Sequence, residues 1–142
     1  MKEIFNSHST EETEKIAAEF ANKLNTGKPA FVAMFGDLGV GKTAFVRGVA
    51  SVLANGARVK SPTFTVVNEY HGDGLPLYHF DVYRIEDDDD LYSVGFYDYI
   101  EKGICIVEWS ENILDSIPNG AYRVKIERSP IGENERIITI EA

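Results

Sequence analysis

Eight residues, Gly36-Asp37-Leu38-Gly39-Val40-Gly41-Lys42-Thr43, lie between an apolar, strand-like run at 30–35 and a helix-like run at 44–54. Glycine at 36, 39 and 41 lets backbone N–H groups turn inward, in conformations that a Cβ obstructs. This G-x-x-x-x-G-K-[ST] spacing, with a strand before it and a helix after it, is that of a loop that wraps a polyphosphate at a helix N-terminus. A strand feeding such a loop and helix constrains the chain to an α/β architecture whose site lies at the carboxyl ends of the strands.

The spelling assigns roles. The loop residues Asp37, Leu38, Gly39, Val40 and Gly41, with Lys42, Thr43 and Ala44 at the helix start, form the expected nucleotide-binding set. Unsatisfied N–H groups and the helix dipole favour an anion there. Lys42 brings a mobile charge to the β- and γ-phosphates, and the Thr43 hydroxyl is placed to ligate Mg²⁺. The sequence contains no Asn-Lys-x-Asp guanine signature, which favours ATP.

Bulk properties narrow the function. The 142 residues fit one domain, residues 1–142, with a single core. The formal net charge of −9, from 23 Asp plus Glu against 14 Lys plus Arg, argues against broad adhesion to nucleic acid or anionic membrane. Any RNA is then expected to be gripped by another protein. Cys105, the only cysteine, lies in an apolar run and reads as a buried thiol. With neither a signal-peptide core nor a membrane-length apolar stretch, a soluble, cytoplasmic protein is expected.

Hydrophobic patterning orders the rest. Residues 2–6 suggest an edge strand, and Ser9 with Glu12 form a capping-box pair for a helix running to about Asn25, closed by Gly27. Runs at 64–71 and 77–85 flank Gly72-Asp73-Gly74 as a hairpin. Acidic residues 86–90 open a short helix and 97–102 supply another, while 104–107 read as a buried central strand ending in Glu108-Trp109. A short helix at 110–115 and a closing hairpin of 122–127 with 136–140 complete the chain. The order predicts a P-loop NTPase fold: three layers around a central mixed β-sheet, parallel near the loop and antiparallel beside it.

A phosphate loop alone leaves a metal with few protein ligands, so a carboxylate ending a neighbouring strand is expected. Glu108 fits, as a Mg²⁺ carboxylate or as an ordinary strand-end glutamate. Asp81, in Tyr78-His79-Phe80-Asp81-Val82-Tyr83-Arg84, is the other acid expected near the γ-phosphate, orienting water or helping hold the metal. Lys42, Asp81 and Glu108 are thus the catalytic candidates. Thr63, in Ser61-Pro62-Thr63-Phe64, is either a hydroxyl sensing the γ-phosphate or turn chemistry. His8, His71 and His79 lack metal-ligand spacing, and no arginine stands out as a finger.

Four blocks, at 36–43, 60–65, 78–84 and 107–109, occur in the order in which the TsaE (YjeE) family carries them, and the chain resembles that family over most of its length. The resemblance implies an ATPase of bacterial tRNA threonylcarbamoyladenosine biosynthesis, working with TsaB and TsaD and meeting tRNA only through that assembly. It implies that Lys42 binds phosphate, Thr43 and Glu108 hold Mg²⁺, Asp81 assists hydrolysis and Thr63 belongs to a switch-like segment. Thr10 and Arg136 match family positions near the adenine. Val40 and Ser110 stand where the family often has alanine and proline. A small-molecule kinase and a nucleotide-gated binding module with incidental hydrolysis are the competing readings.

Overall fold

The computed structural model describes residues 1–37, 39–63 and 65–142, so the expectations placed on Leu38 and Phe64 lie outside the described residues. Strands β1 (Lys2–Ser7), β2 (Ala30–Phe35), β3 (Val67–Tyr70), β4 (Leu77–Asp81), β5 (Ile104–Glu108), β6 (Tyr122–Arg128) and β7 (Arg136–Glu141) form one sheet in the order β1-β7-β6-β2-β5-β4-β3. Neighbours among β6, β2, β5 and β4 pair in parallel. The outer pairs β1–β7, β6–β7 and β3–β4 are antiparallel.

Alternation along the strands explains the layers. Val32 and Met34 of β2 face one cluster with Ile104 and Ile106, under helices α1 (Thr10–Leu24) and α2 (Lys42–Leu53). Phe31 and Ala33 point the other way, into a cluster with Phe80, Cys105 and Val107 under α3 (Asp88–Ser93) and α4 (Phe96–Tyr99). Strands covered on both faces need apolar residues at every position, and Ala30–Phe35 is such a run. Cys105 is fully buried, and burial pushes its thiol up to about 12. Among the described residues no helix is long and apolar enough to cross a membrane.

Local chemistry sets the ends. Ser9 caps α1, its Oγ accepting the Glu12 N–H at 3.1 Å, and the helix stops at Asn25, two residues before Gly27 at φ 79°. The hairpin strands are shorter than their apolar runs. β4 stops at Asp81 because its Oδ1 accepts the Tyr83 N–H at 2.9 Å, starting a turn. β3 starts only at Val67, after Val66 adopts a positive φ of 68°. The second short helix, expected at 97–102, covers Phe96–Tyr99 and starts from Gly95 at φ 78°. Residues Ser110–Ser116 form 3₁₀ turns with a break at Ile113. Ser110 donates its hydroxyl to the Val107 carbonyl at 2.8 Å, fastening this segment to β5.

Helices α1 and α2 pack closely at Gly48. A Cβ there would lie 2.2 Å from the Glu14 carbonyl oxygen and 2.6 Å from the Ala17 Cβ. Alanine would gain roughly 1 kcal/mol of helix propensity, but the obstacle is backbone, and overpacking of this kind costs about 1–3 kcal/mol. The clash should win. Gly48→Ala is expected to lower the urea unfolding midpoint, and an unchanged or higher midpoint would show slack between the two helices.

Candidate functional site

β2 delivers the chain at its carboxyl end to the loop, and α2 begins at Lys42 with Gly41 as its N-cap. The glycines answer to geometry. Gly36 has φ 147°, and a Cβ there would meet the Ile126 carbonyl oxygen of β6 at 2.6 Å. Gly39 and Gly41 also hold positive φ, 76° and 108°. Thr43 is half-buried and Ala44 buried on the first turn of α2.

Lys42 is only 5 % exposed. Its Nζ donates to the Gly36 carbonyl at 2.6 Å and lies 3.7 Å from the centre of the Trp109 ring. Burial lowers its pKa below the ordinary lysine value, against the opposing pull of Glu108, Glu111, Asp81 and Asp37. Trp109 takes a left-handed backbone conformation at φ 64° directly after β5, and its ring lies 4.9 Å from that of Tyr83. Glu111, which the sequence reading did not single out, accepts the Gly36 N–H at 3.4 Å.

The parallel register of β4 and β5 sets Asp81 beside Glu108. Glu108 is 5 % exposed, which removes the reading of an ordinary solvated strand-end glutamate. Its Oε2 is hydrogen-bonded to Nε2 of His79, a fully buried ring for which sequence spacing suggested no role. The alternation of β4 places His79 and Asp81 on one face, but a contact across 29 residues becomes visible only with the strand register. Thr63 donates its hydroxyl to Asp81 Oδ2 at 3.5 Å, and the Ser61 hydroxyl lies 2.8 Å from that of Thr63.

Thr10 and Arg136, distant in sequence, line one cavity of about 320 Å³ with Gly39, Val40, Gly41 and Ala44. Pairing of β1 with β7 brings the end of β1 beside the start of β7 there, Ser7 opposite Arg136. Arg136 Nε donates to the Val40 carbonyl at 3.0 Å. His8 and Glu135 are hydrogen-bonded at the rim, and that carboxylate, with Glu12 adding, holds the His8 imidazole above its ordinary pKa. Arg128 of β6 also reaches the loop, its guanidinium 3.2 Å from where a Gly39 Cβ would stand.

The Thr43 hydroxyl and the Glu108 carboxylate are hard oxygen donors, the kind that a small divalent cation keeping most of its water accepts. Among the described residues no three His, Cys, Asp or Glu side chains converge as a metal cage.

The sheet order, the glycine loop and the buried lysine define a three-layer P-loop NTPase fold. Residues 7–138 match the family model "Threonylcarbamoyl adenosine biosynthesis protein TsaE". The chain is 40% identical to the tRNA threonylcarbamoyladenosine biosynthesis protein TsaE of Bacillus subtilis over 139 residues, covering 96% of this chain and 82% of that one. It is 39% identical to the protein of the same name in Haemophilus influenzae over 122 residues, 85% of this chain and 77% of that one. The crystal structure of YdiB from Bacillus subtilis superposes with a TM-score of 0.75 at 36% identity, covering 99% of this chain and 84% of that one. The chain belongs to the TsaE family of tRNA threonylcarbamoyladenosine biosynthesis.

Proposed function

We propose that the chain is a Mg²⁺-dependent ATPase of this tRNA modification machinery, with weak intrinsic turnover that its partners TsaB and TsaD raise. The observation that carries the reading is the burial of Lys42 within the glycine loop, beside the adjacent carboxylates Asp81 and Glu108. Burial disfavours the Lys42 ammonium more than the surrounding carboxylates favour it, and a bound triphosphate would add counter-charge in direct contact with it.

In this reading the cavity beside Thr10 and Arg136 takes the adenosine end, and the loop N–H groups cradle the phosphates. Lys42 leaves the Gly36 carbonyl for the β- and γ-phosphate oxygens. Thr43 and Glu108 would hold Mg²⁺, which when bound would neutralise charge on the phosphates. Asp81, joined to Thr63, orients the water whose oxygen bonds to the γ-phosphorus as the bond to the β–γ bridging oxygen breaks, giving ADP and phosphate. The Thr63 segment would thereby sense whether the γ-phosphate is present. With a net charge of −9, the protein would meet tRNA through its partners rather than directly.

Single-turnover ATP hydrolysis by the chain alone and with a TsaB–TsaD complex tests this. Stimulation by the partners is expected, and stimulation supplied by a group in trans can reach about 10³–10⁵-fold. Equal slow rates in both samples would overturn partner activation and favour a nucleotide-gated binding module.

A further inference from the structure

The sheet buries one polar ring for which the proposed hydrolysis has no use. His79 lies in the middle of β4, on the face it shares with Leu77 and Asp81, and is fully buried. Nε2 is hydrogen-bonded to Glu108 Oε2, while among the described residues Nδ1 has no partner. A ring kept for packing alone would be better apolar, since a buried polar atom without a partner costs about 1–3 kcal/mol. The satisfied nitrogen faces the one carboxylate that the metal reading needs. An ionised carboxylate only accepts, so Nε2–H is the donor of this bond.

The surroundings show why Glu108 needs a fixed partner. Asp81 stands in register beside it, and two carboxylates side by side repel. Asp81 is itself held, by the Tyr83 N–H at 2.9 Å and the Thr63 hydroxyl at 3.5 Å, and offers Glu108 no donor. The partner that holds the Glu108 side chain is His79.

We propose that His79 is a positioning residue for Glu108: by engaging Oε2 it fixes the carboxylate so that Oε1 is presented to the Mg²⁺ of the bound nucleotide or to its water shell. This rests on the Mg²⁺–ATP reading of the site. Hydrogen-bonding partners of metal-binding side chains typically govern metal affinity by about 10–100-fold.

The test titrates Mg²⁺ into the full chain at a fixed concentration of a fluorescent, non-hydrolysable ATP analogue, and measures analogue affinity in EDTA alongside. His79→Leu is expected to raise the half-saturating Mg²⁺ by about 10–100-fold, with the affinity in EDTA held within about twofold. His79→Gln, whose amide nitrogen can approach Oε2, should restore most of the Mg²⁺ response. In a Glu108→Gln background, His79→Leu should add nothing. Should His79→Leu not fold, His79→Asn, whose amide stops short of Oε2, carries the same expectation.

An unchanged Mg²⁺ requirement in the folded variant overturns the assignment. So does an equal effect in the Glu108→Gln background, or a parallel loss of affinity in EDTA, which would mark a merely structural role. If the unmodified chain binds the analogue with no response to Mg²⁺, the Mg²⁺ reading of the site falls and takes this one with it.

Discussion

Lys42→Ala is expected to lower ATP turnover by about 10²–10³-fold, the typical loss when one preorganised donor is removed from developing charge, with little loss of thermal stability. Two opposed effects lead to the second half of that expectation. The side chain forfeits its bond to the Gly36 carbonyl at 2.6 Å and its contact with the Trp109 ring at 3.7 Å. Its ammonium is also desolvated, which lowers its pKa, so alanine removes an unfavourable burial along with the favourable contacts. Lys42→Arg should fail to rescue turnover, because a planar guanidinium does not fit where a compact ammonium sits 5 % exposed. The pH dependence has a definite sign. Phosphates would raise the pKa of Lys42 from its lowered free value, so ATP affinity is full below the free value and declines as pH rises towards the bound one. That decline should start at lower pH than an exposed lysine would give. Isothermal titration of the native and Lys42→Ala chains with Mg²⁺–ATP checks the assignment, and equal affinity and turnover in both would remove Lys42 from the site.

The features legible in the sequence are those governed by local rules. The glycine spacing, the strand before it and the helix after it need no tertiary knowledge, and β2, the loop and α2 stand where they were expected. Continuous apolar runs marked the doubly covered strands, and alternation marked β6 and β7. Strand ends were less legible. The run through Ile85 keeps its strand composition, yet Asp81 Oδ1 accepts the Tyr83 N–H and the Ile85 N–H donates to the Val82 carbonyl, turning the backbone after β4. The site was legible in its chemistry but not in its arrangement. Asp81 and Glu108 could be named from their places at strand ends, whereas their adjacency depends on the register of two parallel strands joined by a long crossover. His79 was missed for that reason: on β4 alone it is one more inward-facing ring. Glu111 and Arg128 were missed because they reach the loop from the 3₁₀ segment and the end of β6, for which local sequence carries no distance information.

Glu108→Ala should act twice, and the two effects can be separated. Truncation takes away the acceptor of the buried His79 Nε2, and among the described residues Nδ1 has no partner either. A buried donor stripped of its acceptor costs about 1–3 kcal/mol, so a clear fall in the urea midpoint is expected. Turnover at moderate Mg²⁺ should fall by about 10²-fold or more, because a carboxylate that stabilises transferring phosphate through the metal is removed. Glu108→Gln divides these losses. Its side-chain oxygen can still accept from His79 Nε2, so stability should largely return, while the missing negative charge leaves turnover low and no longer restored by ordinary Mg²⁺ concentrations. An ordinary buried glutamate with only a packing role would show the reverse, a destabilised Glu108→Ala chain with normal turnover per folded molecule. Parallel urea unfolding and Mg²⁺-dependent ATPase measurements on the two variants distinguish these cases, and a Glu108→Gln chain with native turnover would take Glu108 out of the metal site while leaving its bond to His79 as a structural feature of β4 and β5.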